Sequence, residues 1–232
     1  MEGSDRLYPF LRNLAERVIL FKHHPIGRAD FEELVTVNGT VAPTIPVRPG
    51  EAQFWQLGHI GADRFLRVKV EGMPFYVIGR DGYFLPRPIR QDEVLLGPGQ
   101  RASVIVIGGQ PGRYAFKSVL LKFDERPPLR TQRVNEPLYV DVVRSSPIAH
   151  RRTFTFSASP DKKRFFINGN VFDEDRTDVT VKLGDTEEWT ILNEDTQYHD
   201  FHIHQTGFLA TEVNGVSTQF DGLRDTFSPS YS

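Results

Sequence analysis

The sequence predicts an all-β protein built from two copies of one sandwich, the second incomplete, and three observations carry that prediction. Short runs rich in Val, Ile, Phe and Thr recur along the chain, each closed by Gly, Asn or Asp, which is the period and punctuation of strands and tight turns. With 18 Phe and 16 Pro in 232 residues, the composition favours pleated surfaces and turns. Two stretches about one domain length apart also resemble each other.

In chain order, residues 1–13 read as the end of a preceding domain or a linker, and a short helix is expected near Phe10–Arg17. Residues 14–122 form the first copy, with strands at ERVILFKH (Glu16–His23), FLRVKVEG (Phe65–Gly72), FYVIGRDG (Phe75–Gly82), ASVIVIGG (Ala102–Gly109) and GRYAFKSVLL (Gly112–Leu121). Residues 123–150, rich in Pro and Arg, read as an interdomain linker holding at most one strand. The second copy occupies 151–232, with strands at RTFTFSAS (Arg152–Ser159), TDVTVKLGD (Thr177–Asp185) and EEWTILNED (Glu187–Asp195).

The repeat itself lies in Thr36–Leu57 and Phe166–Leu192, which share an Asn-Gly turn, a Val-rich strand, a Gly followed by an acidic residue, and a Trp. Gly50 to Trp55 and Gly184 to Trp189 have the same spacing, and VIGRDG ending at Gly82 answers ATEVNG ending at Gly215. The first copy continues for several strands past Gly82, whereas little follows Gly215, so the second copy reads as cut short, with a sheet edge and part of a core left open.

Charge and composition exclude several functions. A formal net charge of −2 offers no basic footprint for nucleic acid. The longest apolar runs are too short to span a bilayer, and the N-terminal stretch has no signal-peptide core. Cys is absent, so the chain has no disulfide, thiolate ligand or nucleophilic thiol. That zero leaves the compartment open.

Three of the seven histidines fall within six positions, in YHDFHIH (Tyr198–His204). Imidazole is the commonest transition-metal ligand. On a strand, alternation would put His202 and His204 on one face and His199 on the other, so one strand would serve two sites. The corresponding stretch of the first copy, Arg64–Gly72, has no histidine; the scaffold therefore does not need them.

HDFHIH resembles the His-x-x-His-x-His motif of the multicopper oxidases, laccase-like enzymes built from cupredoxin Greek-key β-sandwiches. FHIHQTGFLATEVNG (Phe201–Gly215), GLRDT (Gly222–Thr226), VNGTVAPTIPVRPGEAQFWQL and VIGRDG extend the likeness over nearly the whole chain. The resemblance implies copper as cofactor, with His199 a ligand of the type 1 copper that accepts substrate electrons, His202 a type 2 ligand and His204 a type 3 ligand of the cluster that reduces dioxygen to water. It implies a small-molecule or metal-ion substrate for the intact protein, and a periplasmic or secreted location. Asp200 stands where many members have Pro.

The remaining family ligands, two histidine pairs and a His-Cys-His segment, do not occur in these residues. Copper without thiolate makes no blue centre, and the chain alone is not expected to turn over. A copper-free cupredoxin-like module for binding or assembly is the competing reading. A mononuclear cupin-type site ranks last, since the next Glu after His204 is Glu212. His23, His24, His59 and His150 are expected in loops without a role. Carboxylate clusters such as Asp173–Asp178 read as solvated turns, and no phosphate loop or nucleophile elbow is present. No catalytic side chain and no organic-cofactor ligand is assigned.

Overall fold

The computed structural model of the chain describes residues 7–25, 33–62, 64–120, 143–197, 199–217 and 222–227. The architecture is all-β, as the sequence predicts. The expected helix near Phe10 is only a 3-10 turn, Pro9–Asn13, and Arg17 already lies in strand β1, Ala15–Pro25.

The first unit continues with β2 (Glu33–Val37), β3 (Ala52–His59), β4 (Leu66–Val70), β5 (Phe75–Arg80), β6 (Tyr83–Gln91), β7 (Val94–Leu96), β8 (Arg101–Ile107) and β9 (Phe116–Leu120). Six of these form a sheet in the order β2-β1-β3-β8-β5-β6, and β7-β4-β9 form a second. Between the sheets lies a core of Phe21, Trp55, Leu57, Leu66, Val68, Phe75 and their neighbours. The outer face of the large sheet is also buried, where Tyr8 packs on Phe54, Ile78, Phe84 and Ile105 and donates its hydroxyl to Leu85 O at 2.7 Å. Burial on both faces explains why β8 is buried continuously from Ala102 to Val106, with Ser103 its one polar residue in that run.

The second unit holds β10 (Ile148–Ala158), β11 (Phe165–Ile167), β12 (Thr186–Asn193), β13 (Phe201–His202), β14 (Glu212–Val213), β15 (Val216–Ser217) and β16 (Thr226–Phe227). Its sheet β11-β10-β12 repeats the arrangement of β2-β1-β3, with one antiparallel and one parallel neighbour. Among the described residues, no strand takes the place beside β12 that β8 has beside β3. Phe165, Ile167 and Leu192 of this sheet are exposed.

The repeat extends to side chains. Asn38 donates to Val18 O and accepts from Leu20 N; Asn168 does the same to Thr153 O and from Thr155 N. In the first unit Gln53 accepts from Arg17 Nε at 2.7 Å and Trp55 Nε1 at 2.9 Å. In the second, Glu187 accepts from Arg152 Nε and Trp189 Nε1, both at 2.7 Å. Hydrogen bonds from Arg152 and Trp189 hold the Glu187 carboxyl at about 2. Asn38-Gly39, Asp81-Gly82, Asn168-Gly169 and Asn214-Gly215 all have positive φ at both residues, the geometry that tight antiparallel turns require.

Three further expectations fail. TDVTVKLGD forms no strand, and neither does the matching stretch of the first copy: an arginine, not a ladder, holds each arm, through Arg152 Nη2 to Thr180 O and Arg17 Nη2 to Pro46 O. The histidines expected in loops lie in strands: His23 and His24 in β1, His59 at the end of β3, and His150 in β10. His59 is 1% exposed, and its ring lies 5.9 Å from that of His23. β10 also starts at Ile148, inside the stretch read as linker; the strand considered within that linker falls outside the described residues. No described helix is long and apolar enough to cross a membrane.

Candidate metal site at the histidine cluster

The three histidines sit where β12 gives way to β13. Asn193, the last residue of β12, accepts from Asp195 N at 3.0 Å and donates to Gln197 O at 2.8 Å, a side-chain-closed turn of the kind Asn favours. The turn buries Asp195, which accepts from Lys162 Nζ, from Thr196 N at 2.7 Å and from His199 Nε2 at 2.8 Å. Burial alone would raise the Asp195 carboxyl; the hydrogen bonds from Lys162, His199 and Thr196 outweigh it and hold the group at about 2.

A carboxylate only accepts, so Nε2 of His199 carries a proton, and in the neutral ring Nδ1 is the nitrogen with the lone pair. Edge contacts with Phe156 and Phe165, at 6.1 and 5.6 Å between ring centroids, fix the ring further.

His202 is in β13, paired with Thr226 of β16. Phe201 turns inward, 6.1 Å from Trp189 and 5.3 Å from Phe208 between centroids, and so sends His202 outward. Nδ1 of His202 lies 2.8 Å from Asp225 O and 2.9 Å from Thr226 Oγ1. The Thr226 hydroxyl donates to Asp225 Oδ1 at 2.8 Å. Both oxygens therefore accept from Nδ1–H, leaving Nε2 of His202 as the ligating nitrogen. The rings of His202 and His204 are 4.8 Å apart, inclined at 61°.

The motif does not lie on one strand, because β13 contains only Phe201 and His202. His199 belongs to the preceding loop, and His204 leads into Gln205, which has a φ of 67°. His202 and His204 nevertheless come together, and His199 is held separately by Asp195. His199 and His202 both line one open cleft of ≈ 630 Å³ between the units, with Phe65, Pro98, Arg101 and Phe165. His202 and His204 line a second, ≈ 560 Å³, with Tyr83, Arg101 and Asp225. Among the described residues, no three metal-ligating side chains converge on one point.

Sequence reasoning missed Asp195, Asp225, Thr226 and Arg101. The first is signalled by NED after a strand, an Asn positioned to close a turn. Asp225 and Thr226 lie in GLRDT, a stretch that carries the family likeness but suggests no role for either residue.

Copper suits the donors present in part. Imidazoles whose second nitrogen is bonded to a carboxylate or carbonyl are typical of metal ligands, and His199 and His202 meet that description. A thiolate cannot come from these residues, since Cys is absent.

Two family models, each described as multicopper oxidase, match residues 17–134 and 145–228. The cell division protein FtsP of Yersinia pestis is 26% identical over 88% of this chain and 48% of its own length. FtsP of Rahnella sp. (strain Y9602) is 27% identical over 87% and 47%. The chain thus spans about half the length of these relatives. Among solved structures, a multicopper oxidase from Campylobacter jejuni described as a metallo-oxidase matches with a TM-score of 0.68 at 20% identity, over 95% of this chain and 57% of that one. A laccase from Pediococcus acidilactici matches with a TM-score of 0.70 at 21% identity, over 94% and 52%. These likenesses show a shared fold.

Proposed function

The chain belongs to the multicopper oxidase family, and on that premise we propose that it supplies part of the copper ligand set of a copper-dependent oxidoreductase. His202 and His204 contribute to an oxygen-reducing copper site and His199 to a separate site of electron entry. When bound, copper would pass substrate electrons singly toward dioxygen. The remaining ligands would come from outside these 232 residues, and the chain by itself holds copper without turnover.

The observation that carries this reading is the pair of imidazoles at 4.8 Å, with Nδ1 of His202 donating to Asp225 O. That bond fixes the tautomer and leaves Nε2 for a metal. The protein's task at this site is to hold and orient the imidazoles. Asp195 does so for His199 and Asp225 for His202.

Calorimetric titration with Cu(II) tests it. Saturable binding is expected in the native chain and should vanish in the His202→Ala, His204→Ala double variant. An isotherm unchanged by the double substitution would rule the reading out. No intense blue absorption should develop, because no thiolate is available.

A second reading has specific support: the chain has no Cys, and the relatives above are named cell division proteins. On that reading the fold serves as a copper-free module for binding or assembly. The same titration separates the two, since such a module would show no copper uptake dependent on His202.

A further inference from the structure

We infer that Arg101, in the unit that carries no histidine of the site, is a positioning residue for His202 across the boundary between the two units. The inference rests on the reading that His202 binds copper, and it adds a residue to that site.

Arg101 opens β8 and is fixed from its own side. Its backbone N–H donates to Asp81 Oδ1 at 3.0 Å, and its guanidinium donates to Gly99 O at 2.8 Å and Asp81 O at 2.9 Å. Asp81 is buried and occupies the tight turn between β5 and β6, so the guanidinium is braced against the rigid edge of the first sandwich. From there Nη2 reaches across to Asp225 Oδ2.

Asp225 is the residue whose carbonyl receives Nδ1–H of His202 at 2.8 Å. The same carbonyl accepts from Ile203 N at 3.1 Å, and the side chain accepts from Thr226, whose hydroxyl also faces Nδ1. Both hydrogen bonds of the His202 ring therefore converge on Asp225 and Thr226. β13 and β16, which carry these groups, are each two residues long. So short a ladder gives little rigidity, and the ion pair to Arg101 supplies an external anchor. Two further contacts seat the same segment. Gln100 Nε2 lies 3.5 Å from Thr226 O. Tyr83 lies so close to Gly207 that a Cβ there would be 2.4 Å from the phenol oxygen.

A guanidinium suits this role because its planar fork holds Gly99 O through Nη1 while Nη2 bonds Asp81 O and Asp225, a spread of fixed donors that a single ammonium supplies less well. A clamp of this kind, outside the ligands themselves, is expected to change metal affinity about 10- to 100-fold when lost.

The test uses the full chain with 15N-labelled histidine. In the metal-free native protein, His202 should give the spectrum of the tautomer protonated at Nδ1. Arg101→Ala should shift it toward the mixture of a solvated imidazole and weaken Cu(II) binding about tenfold or more. Arg101→Lys should recover part of both. Asp225→Asn removes the same ion pair while leaving the bonds of Arg101 to Asp81 and Gly99 in place, so it should repeat the effect even if Arg101→Ala folds poorly. Native tautomer and native copper affinity in both Arg101→Ala and Asp225→Asn would overturn the inference. A copper isotherm indifferent to His202→Ala with His204→Ala would overturn the metal reading and, with it, the part Arg101 plays in metal binding. The two failures are distinguishable because the tautomer is read without metal.

Discussion

Replacing Asp195 with Asn removes the charge around which the loop before β13 is built. The carboxylate is buried, and its donors Lys162, His199 and Thr196 hold it at about 2, against an ordinary 3.8. At about 1.4 kcal/mol per pKa unit, that difference corresponds to roughly 2.5 kcal/mol. The Lys162 side chain is 38% exposed, and water screens that arm, so about 1–2 kcal/mol is expected. Because the folded value lies below the unfolded one, the unfolded chain binds more protons between them. The stabilisation is complete above 3.8 and is lost as pH falls through about 2. Urea unfolding of the native chain and Asp195→Asn should therefore differ by about 1–2 kcal/mol near neutrality, with the gap closing toward pH ~2. A gap of the same size at both ends of that range, or none near neutrality, would refute the electrostatic account of the loop.

The Arg–acceptor–Trp pins predict a second acid effect. The first unit uses the neutral Gln53, the second the ionised Glu187, held at about 2; stability from Glu187 is present above its ordinary 4.5 and lost as pH falls through about 2. Glu187→Gln should flatten this part of the acid unfolding profile of the second unit, followed by Trp189 fluorescence, and an unaltered profile would count against the pin. Gly61→Ala tests the packing of the His23 and His59 imidazoles: its Cβ would lie 2.2 Å from His23 Nδ1 and 2.6 Å from His59 Nε2. Since His59 is buried and cannot swing aside, the variant should lose about 1–3 kcal/mol, and a melting temperature within about 1 °C of native would show that the strand ends yield.

The fold was legible where apolar alternation and turn residues agree, as in β1, β4, β5, β8, β10 and β12. β6 escaped notice because it contains Pro86 and Pro88; as the last strand of its sheet it tolerates them. TDVTVKLGD misled in the opposite way, its alternation satisfied by Arg152 instead of a neighbouring strand. At the site the imidazoles were visible because histidine clusters are rare and chemically distinct. Their supports were less so: Asp195 is four residues from His199, within reach of local turn reasoning, but Arg101 meets Asp225 across 124 positions. No local pattern encodes a contact of that range.

The two units also differ in how much oily surface they remove from water. The first closes both faces of its large sheet, whereas the second leaves Phe172, Leu183 and much of its three-stranded sheet wet. Heat capacity on unfolding follows newly hydrated apolar area. Most of that increment must therefore come from the N-terminal part, and the C-terminal part should melt over a broad range with a shallow calorimetric trace.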